Sequence, residues 1–154
     1  RDPLRACSYG TGQLVRAAEV ARQLGEQHPL LAVVHRLHRL QQRRLVADLV
    51  RRAAERLDIS RALLAKVLGV SPPTVTRLYN GEYKLDERRK EWEFALLFVR
   101  VFRSLDSIVG NEQTARQWLN SENRGLNGRP VDLIRQTEGL VRVVHYLDAS
   151  RGLV

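Results

Sequence analysis

The chain has 154 residues, 44% of them hydrophobic, which suits one domain of ordinary size or two small ones and argues against general disorder. No apolar run nears the ~18–20 residues of a membrane span, no signal-peptide pattern opens the chain, and a single cysteine, Cys7, excludes an internal disulfide and a multi-cysteine zinc site. The net charge of +9 lies wholly in the first 90 residues: Arg and Lys number 11 against 6 Asp and Glu in residues 1–58, 7 against 3 in 59–90, and 8 against 8 in 91–154.

Apolar residues recur at spacings of three and four, and no alternation of period two persists, so the expected fold class is all-α. A first helix is expected from Thr11 or Gly12 to Leu24, closed by Gly25. After Pro29, the residues Leu30, Val33, Val34, Leu37 and Leu40 form one apolar face. Gln41 to Arg44 interrupts it, and Leu45, Val46, Leu49, Val50, Ala53 and Leu57 resume it, either on one long helix with a register change or on two helices. Asp58-Ile59-Ser60 ends this stretch, and Ser60 is a good N-cap for the next helix.

Beyond residue 80, Asn80-Gly81 marks a turn. Asp86 is expected to cap a helix running to about Leu105, with Trp92, Ala95, Leu96, Val99 and Phe102 facing inward. Gly110 ends that region and Asn111 caps a helix over about 112–121. A loop from Asn123 to Pro130 leads to two helices, about 131–136 and 138–150, with Thr137 capping the second.

The strongest local pattern is Arg61-Ala-Leu-Leu-Ala-Lys-Val-Leu-Gly-Val-Ser-Pro-Pro-Thr-Val-Thr-Arg-Leu-Tyr-Asn80. Leu64, Leu68, Val70, Val75 and Leu78 supply a small core between two crossed helices, and Ala65 lets them approach. Gly69 sits where a positive φ is cheap only for glycine. Ser71 is the N-cap of the second helix and Pro72 its first residue, where a missing N–H costs nothing. The result is helix, short turn, helix, with the second helix free to enter a major groove. The segment resembles the Xre-like repressor helix-turn-helix family over about residues 43–83.

On that reading the second helix presents Ser71, Pro72, Pro73, Thr74, Thr76 and Arg77 outward. Arg77 is the candidate base reader, because arginine pairs bidentately with guanine. Thr74 and Thr76 can touch a thymine methyl or a phosphate. Pro72 and Pro73 replace the polar residues such helices often carry at their start, and make apolar contacts only. Lys66, Lys84, Arg88, Arg89 and the backbone near Asn80 are candidate phosphate contacts. One unit reads few base pairs, so a homodimer on an inverted repeat of operator DNA is expected.

The neutral C-terminal part carries a second pattern: Trp118-Leu119, Asn123, Leu126 to Pro130 and Thr137 to Gly139. It resembles the toxin-binding domain of the MbcA/ParS/Xre group of antitoxins, over roughly residues 88–154. The resemblance implies a partner toxin with a RES domain, which consumes NAD, and repression of the protein's own operon. It also implies that the last helix and tail cover the toxin's active site, with Tyr146, Asp148, Arg151, Gly152, Leu153 and Val154 as the contact residues. Read from the residues alone, Trp118, Leu119, Leu126, Leu133, Ile134, Leu140, Val143, Val144 and Leu147 have helical spacing and form a core, and Gly128-Arg129-Pro130 forms a rigid turn.

The expected organisation is a helical extension over 1–41, a helix-turn-helix DNA-binding domain over 42–83 and a helical toxin-binding domain over 84–154. His35 and His38 are three apart on a helix, but no carboxylate or thiol completes a metal set, and surface histidines are the default. No phosphate-binding glycine loop and no nucleophile elbow is present, so neither a cofactor nor catalysis is expected. The leading reading is a cytoplasmic antitoxin that binds DNA and a toxin. The alternative is a plain transcriptional regulator whose C-terminal half dimerises or senses a ligand.

Overall fold

The computed structural model describes residues 29–151. Among them lie seven helices and no strand: α1 (Pro29–Arg56), α2 (Arg61–Leu68), α3 (Pro72–Tyr79), α4 (Lys90–Val109), α5 (Glu112–Asn120), α6 (Pro130–Leu133) and α7 (Thr137–Arg151). The helix expected over residues 11–24 lies outside the described residues. The chain divides into two compact units, one ending at Gln42 and one beginning at Arg43.

α1 is one helix of 28 residues. Gln41 to Arg44 interrupts the apolar stripe without breaking the backbone, because Gln and Arg are good helix formers and no Gly or Pro intervenes. In the first unit, Val33, Val34 and Leu37 are more than half exposed, so these three side chains do not sit in a core. In the second unit, Val50, Ala53, Ala54 and Leu57 are buried and Val46 and Leu49 pack against them, whereas Leu45 is 59% exposed. Leu45 falls one position off the inward repeat and so turns out to solvent.

The second unit has one continuous core from Val50 to Leu147. α4 is its central helix and packs on α2, α5 and most extensively α7. It is covered on a broad arc, which changes the inner face read from the sequence. Ala95, Phe98, Val99, Val101 and Leu105 are buried, Trp92 and Phe102 are partly buried, and Leu96 is exposed. The start of α4 also differs from expectation. Its N-cap is Arg89, with no side-chain cap bond, and the Asp86 carboxylate instead accepts the Arg88 N–H at 3.1 Å in the preceding turn. Asp86 and Glu87 pair with Arg43 at 3.6 and 3.3 Å, which holds that turn against α1.

Local chemistry sets the other boundaries much as the sequence implies. Asn111 caps α5 by accepting the Thr114 N–H at 2.8 Å. Asn123 closes the following loop: its side chain accepts the Leu126 N–H at 3.0 Å and its backbone bridges to Gly128. Thr137 is the first residue of α7 rather than a cap outside it. Arg116, on α5, donates to the Arg56 carbonyl at 2.7 Å and so satisfies the C-terminal end of α1.

Candidate functional site

The first surface of interest is built on α2, α3 and their turn. Ser60 caps α2 by accepting the Leu63 N–H at 3.2 Å. Gly69 ends it at φ +66°, a left-handed conformation that glycine adopts freely. Ser71 caps α3, and Pro72 and Pro73 fill its first two positions. Leu64, Ala65, Leu68, Val75 and Leu78 are buried between and beneath the two helices, and Val70 is half-buried. This core leaves the outer side of α3 bare.

That outer side is a shallow, largely apolar depression lined by Arg61, Pro72, Pro73, Thr76 and Arg77. Four of the residues expected to face DNA, Pro72, Pro73, Thr76 and Arg77, meet there. Arg61 joins them and was not anticipated. Its signal in the sequence was its place at the first position of α2, directly after the cap. The Arg61 guanidinium lies 4.7 Å from the centroid of the Tyr79 ring, a cation–π contact that fixes its position beside the depression. Burial raises the Tyr79 hydroxyl above its ordinary pKa.

Ser71 and Thr74 sit at the start of the same helix, with their hydroxyls hydrogen-bonded to each other at 2.8 Å. Asn80 is the C-cap of α3. Lys66, Lys84 and Arg88 are exposed but do not line the depression. The surface therefore combines two arginines, an apolar centre and further exposed cations, a composition suited to the edge and backbone of a nucleic-acid duplex.

The second surface is on α7. Leu140, Val143, Val144 and Leu147 are buried, and Gly139 meets α6 so closely that a Cβ there would lie 2.1 Å from the Leu133 carbonyl oxygen. The expected toxin-contacting residues fall on different sides of this helix. Tyr146 is half-buried, stacks on Trp118 with ring centroids 6.2 Å apart, and lies against Gly125. Asp148 faces α4, where it pairs with Arg100 at 2.6 Å and accepts from the buried Ser104 hydroxyl at 3.4 Å. Arg151 donates to the same hydroxyl at 3.4 Å. Asp148 and Arg151 thus form one polar cluster with α4, apart from Tyr146. Gly152, Leu153 and Val154 lie outside the described residues.

Beside that cluster, Val46, Leu49, Leu96 and Val99 floor a groove edged by Arg100, Arg103 and Arg151. Among the described residues no group of three or more His, Cys, Asp or Glu is placed to hold a metal ion. The His35 side chain and Cys7 lie outside the described part of the structure. No described helix is long and apolar enough to cross a membrane.

Two family models match successive parts of the chain. Residues 36–100 match the family model of the antitoxin Xre-like helix-turn-helix domain. Residues 104–152 match that of the antitoxin Xre/MbcA/ParS C-terminal toxin-binding domain. In three dimensions the chain is similar to a chain in the crystal structure of the M. tuberculosis MbcT–MbcA toxin–antitoxin complex, with a TM-score of 0.53 and 27% sequence identity. That similarity covers 70% of this chain and 96% of the other. Among curated proteins, nothing matches.

Proposed function

From a chain that belongs to the Xre/MbcA/ParS antitoxin family, with an Xre-like helix-turn-helix joined to the C-terminal toxin-binding domain, we propose a protein with two partners. Its C-terminal helices bind and neutralise a RES-domain toxin that consumes NAD. Its helix-turn-helix binds operator DNA and represses the operon that encodes both. The protein acts in both roles through binding surfaces.

The observation that carries this proposal is the second unit itself. One continuous core supports both an outward-facing recognition helix, α3, and a terminal helix, α7, whose end is polar and partly exposed. A relative solved as a toxin–antitoxin complex supports the toxin limb. The basic balance of residues 59–90 and the depression on α3 support the DNA limb. A homodimer would place two α3 helices on an inverted repeat, with each copy reading one half-site.

The toxin contact is assigned to the end of α7 and the residues after it, from Arg151 to Val154, together with Tyr146 and Asp148. The buried residues of α7 constrain the test, because cutting the chain at Thr137 would strip Leu140, Val143, Val144 and Leu147 from the core. A chain ending at Arg151 keeps the whole helix. The product of the neighbouring gene is to be captured from cells on the full chain and on this shortened one. The expected result is retention by the full chain, at least tenfold less on the shortened chain, and an unchanged melting temperature. Equal retention by both would remove the tail from the interface.

A further inference from the structure

We infer that the depression on α3 reads the C5-methyl groups of thymines in the major groove, and that α3 lacks most of the backbone phosphate anchor that a helix N-terminus ordinarily offers. The inference rests on the DNA-binding reading above and specifies what that surface recognises.

A helix N-terminus has free backbone N–H groups and attracts phosphate through them. In α3 three of these four donors are missing or bonded. Pro72 and Pro73 have no N–H, the Thr74 N–H is bonded to the Ser71 carbonyl and hydroxyl at 2.9 and 3.4 Å, and the Val75 N–H reaches the Ser71 carbonyl at 3.2 Å. The hydroxyls of the same turn are partly engaged. One of the Ser71 and Thr74 hydroxyls donates to the other, and Thr76 donates to the Pro72 carbonyl at 3.4 Å. The first turn and a half of the helix therefore offers a base edge mainly apolar surface, centred on the exposed rings of Pro72 and Pro73.

Among the groups on the major-groove edge, the one that gains from such a surface is the thymine methyl. The setting suits it: Arg61 and Arg77 border the depression and are exposed. They can engage flanking phosphates or a guanine while the prolines cover the methyl. Removing a buried methyl costs about fourfold in affinity, by the transfer free energy of one such group.

The test uses the full chain to select duplexes from a randomised synthetic library. Each thymine of the selected site is then replaced singly by deoxyuridine, which keeps every hydrogen-bonding group and removes only the methyl. The expected result is about fourfold weaker binding at one or two positions in each half-site, with the other positions indifferent. In a Pro72→Ala, Pro73→Ala chain of unchanged melting temperature, thymine and deoxyuridine should bind alike at those positions. A selected site without thymine, or one indifferent to every replacement, would overturn the inference and leave DNA binding standing. Failure to select any sequence, with no salt-sensitive binding to DNA, would overturn the DNA-binding reading and this inference together.

Discussion

Gly139→Ala is expected to destabilise the protein by about 3 kcal/mol or more, lowering its melting temperature by roughly 10 °C. In an exposed helix interior the same change stabilises by about 1 kcal/mol, because alanine is the better helix former. Here packing reverses the sign. The added Cβ would lie 2.1 Å from the Leu133 carbonyl oxygen and 2.7 Å from its carbon. Those are backbone atoms, fixed by the turn between α6 and α7, in which the Ile134 N–H reaches the Pro130 carbonyl and the Gln136 N–H the Leu133 carbonyl. Relief requires α7 to move away from α6, which opens the core around Ile134, Leu140 and Val143. Thermal unfolding by circular dichroism checks this, and a change within about 0.5 kcal/mol, as at ordinary surface sites, would show that the two helices are not so close.

Phe98→Ala carries the second large effect, about 3–5 kcal/mol, since it removes a fully buried aromatic side chain and leaves a cavity. Its place in the fold gives the change a wider reach. Phe98 is on α4, which packs on both the helix-turn-helix and α7. A single continuous core should unfold cooperatively. The two tryptophans report on this separately: Trp92 lies at the start of α4 and Trp118 on α5 beside Tyr146. In single-tryptophan chains made by Trp118→Phe and Trp92→Phe, the fluorescence midpoints in urea should coincide. Adding Phe98→Ala should shift both downward by the same amount. Separate midpoints would mean that the helix-turn-helix and the C-terminal helices fold independently, against the packing described.

The features legible in the sequence are those decided within about four residues. Gly69, Ser71 and Pro72 specify a helix end, a cap and a helix start by their own backbone chemistry, and the structure places each in that role. Asn111 does the same for α5, and the apolar spacing of Leu119, Leu126, Ile134, Leu140, Val143, Val144 and Leu147 marks residues that are buried. What the sequence hides depends on partners distant in the chain. The stripe of Val33, Val34 and Leu37 has helical spacing, yet spacing does not say whether a neighbour covers it. Leu96 fits a one-sided pattern, whereas α4 is covered on several sides and rotated so that Phe98 and Val101 face inward.

The candidate site shows the same division. Arg77 and the prolines are read from the motif, but Arg61 is recruited by its contact with Tyr79, 18 positions further along the chain. Tyr146, Asp148 and Arg151 are close in sequence, and helical rotation sets Tyr146 against Trp118 while the other two face α4. Sequence proximity near the end of a helix does not make a single surface, because each step turns the side chain by about 100°.

The measurement that bears most directly on the antitoxin reading is growth, with cellular NAD followed alongside, in cells that produce the neighbouring gene's product with and without this chain. The expected result is that the neighbour alone arrests growth and depletes NAD, and that co-production of the full chain restores both. Arrest and NAD loss that persist despite abundant, folded chain would contradict it, leaving a DNA-binding regulator whose C-terminal helices serve another purpose.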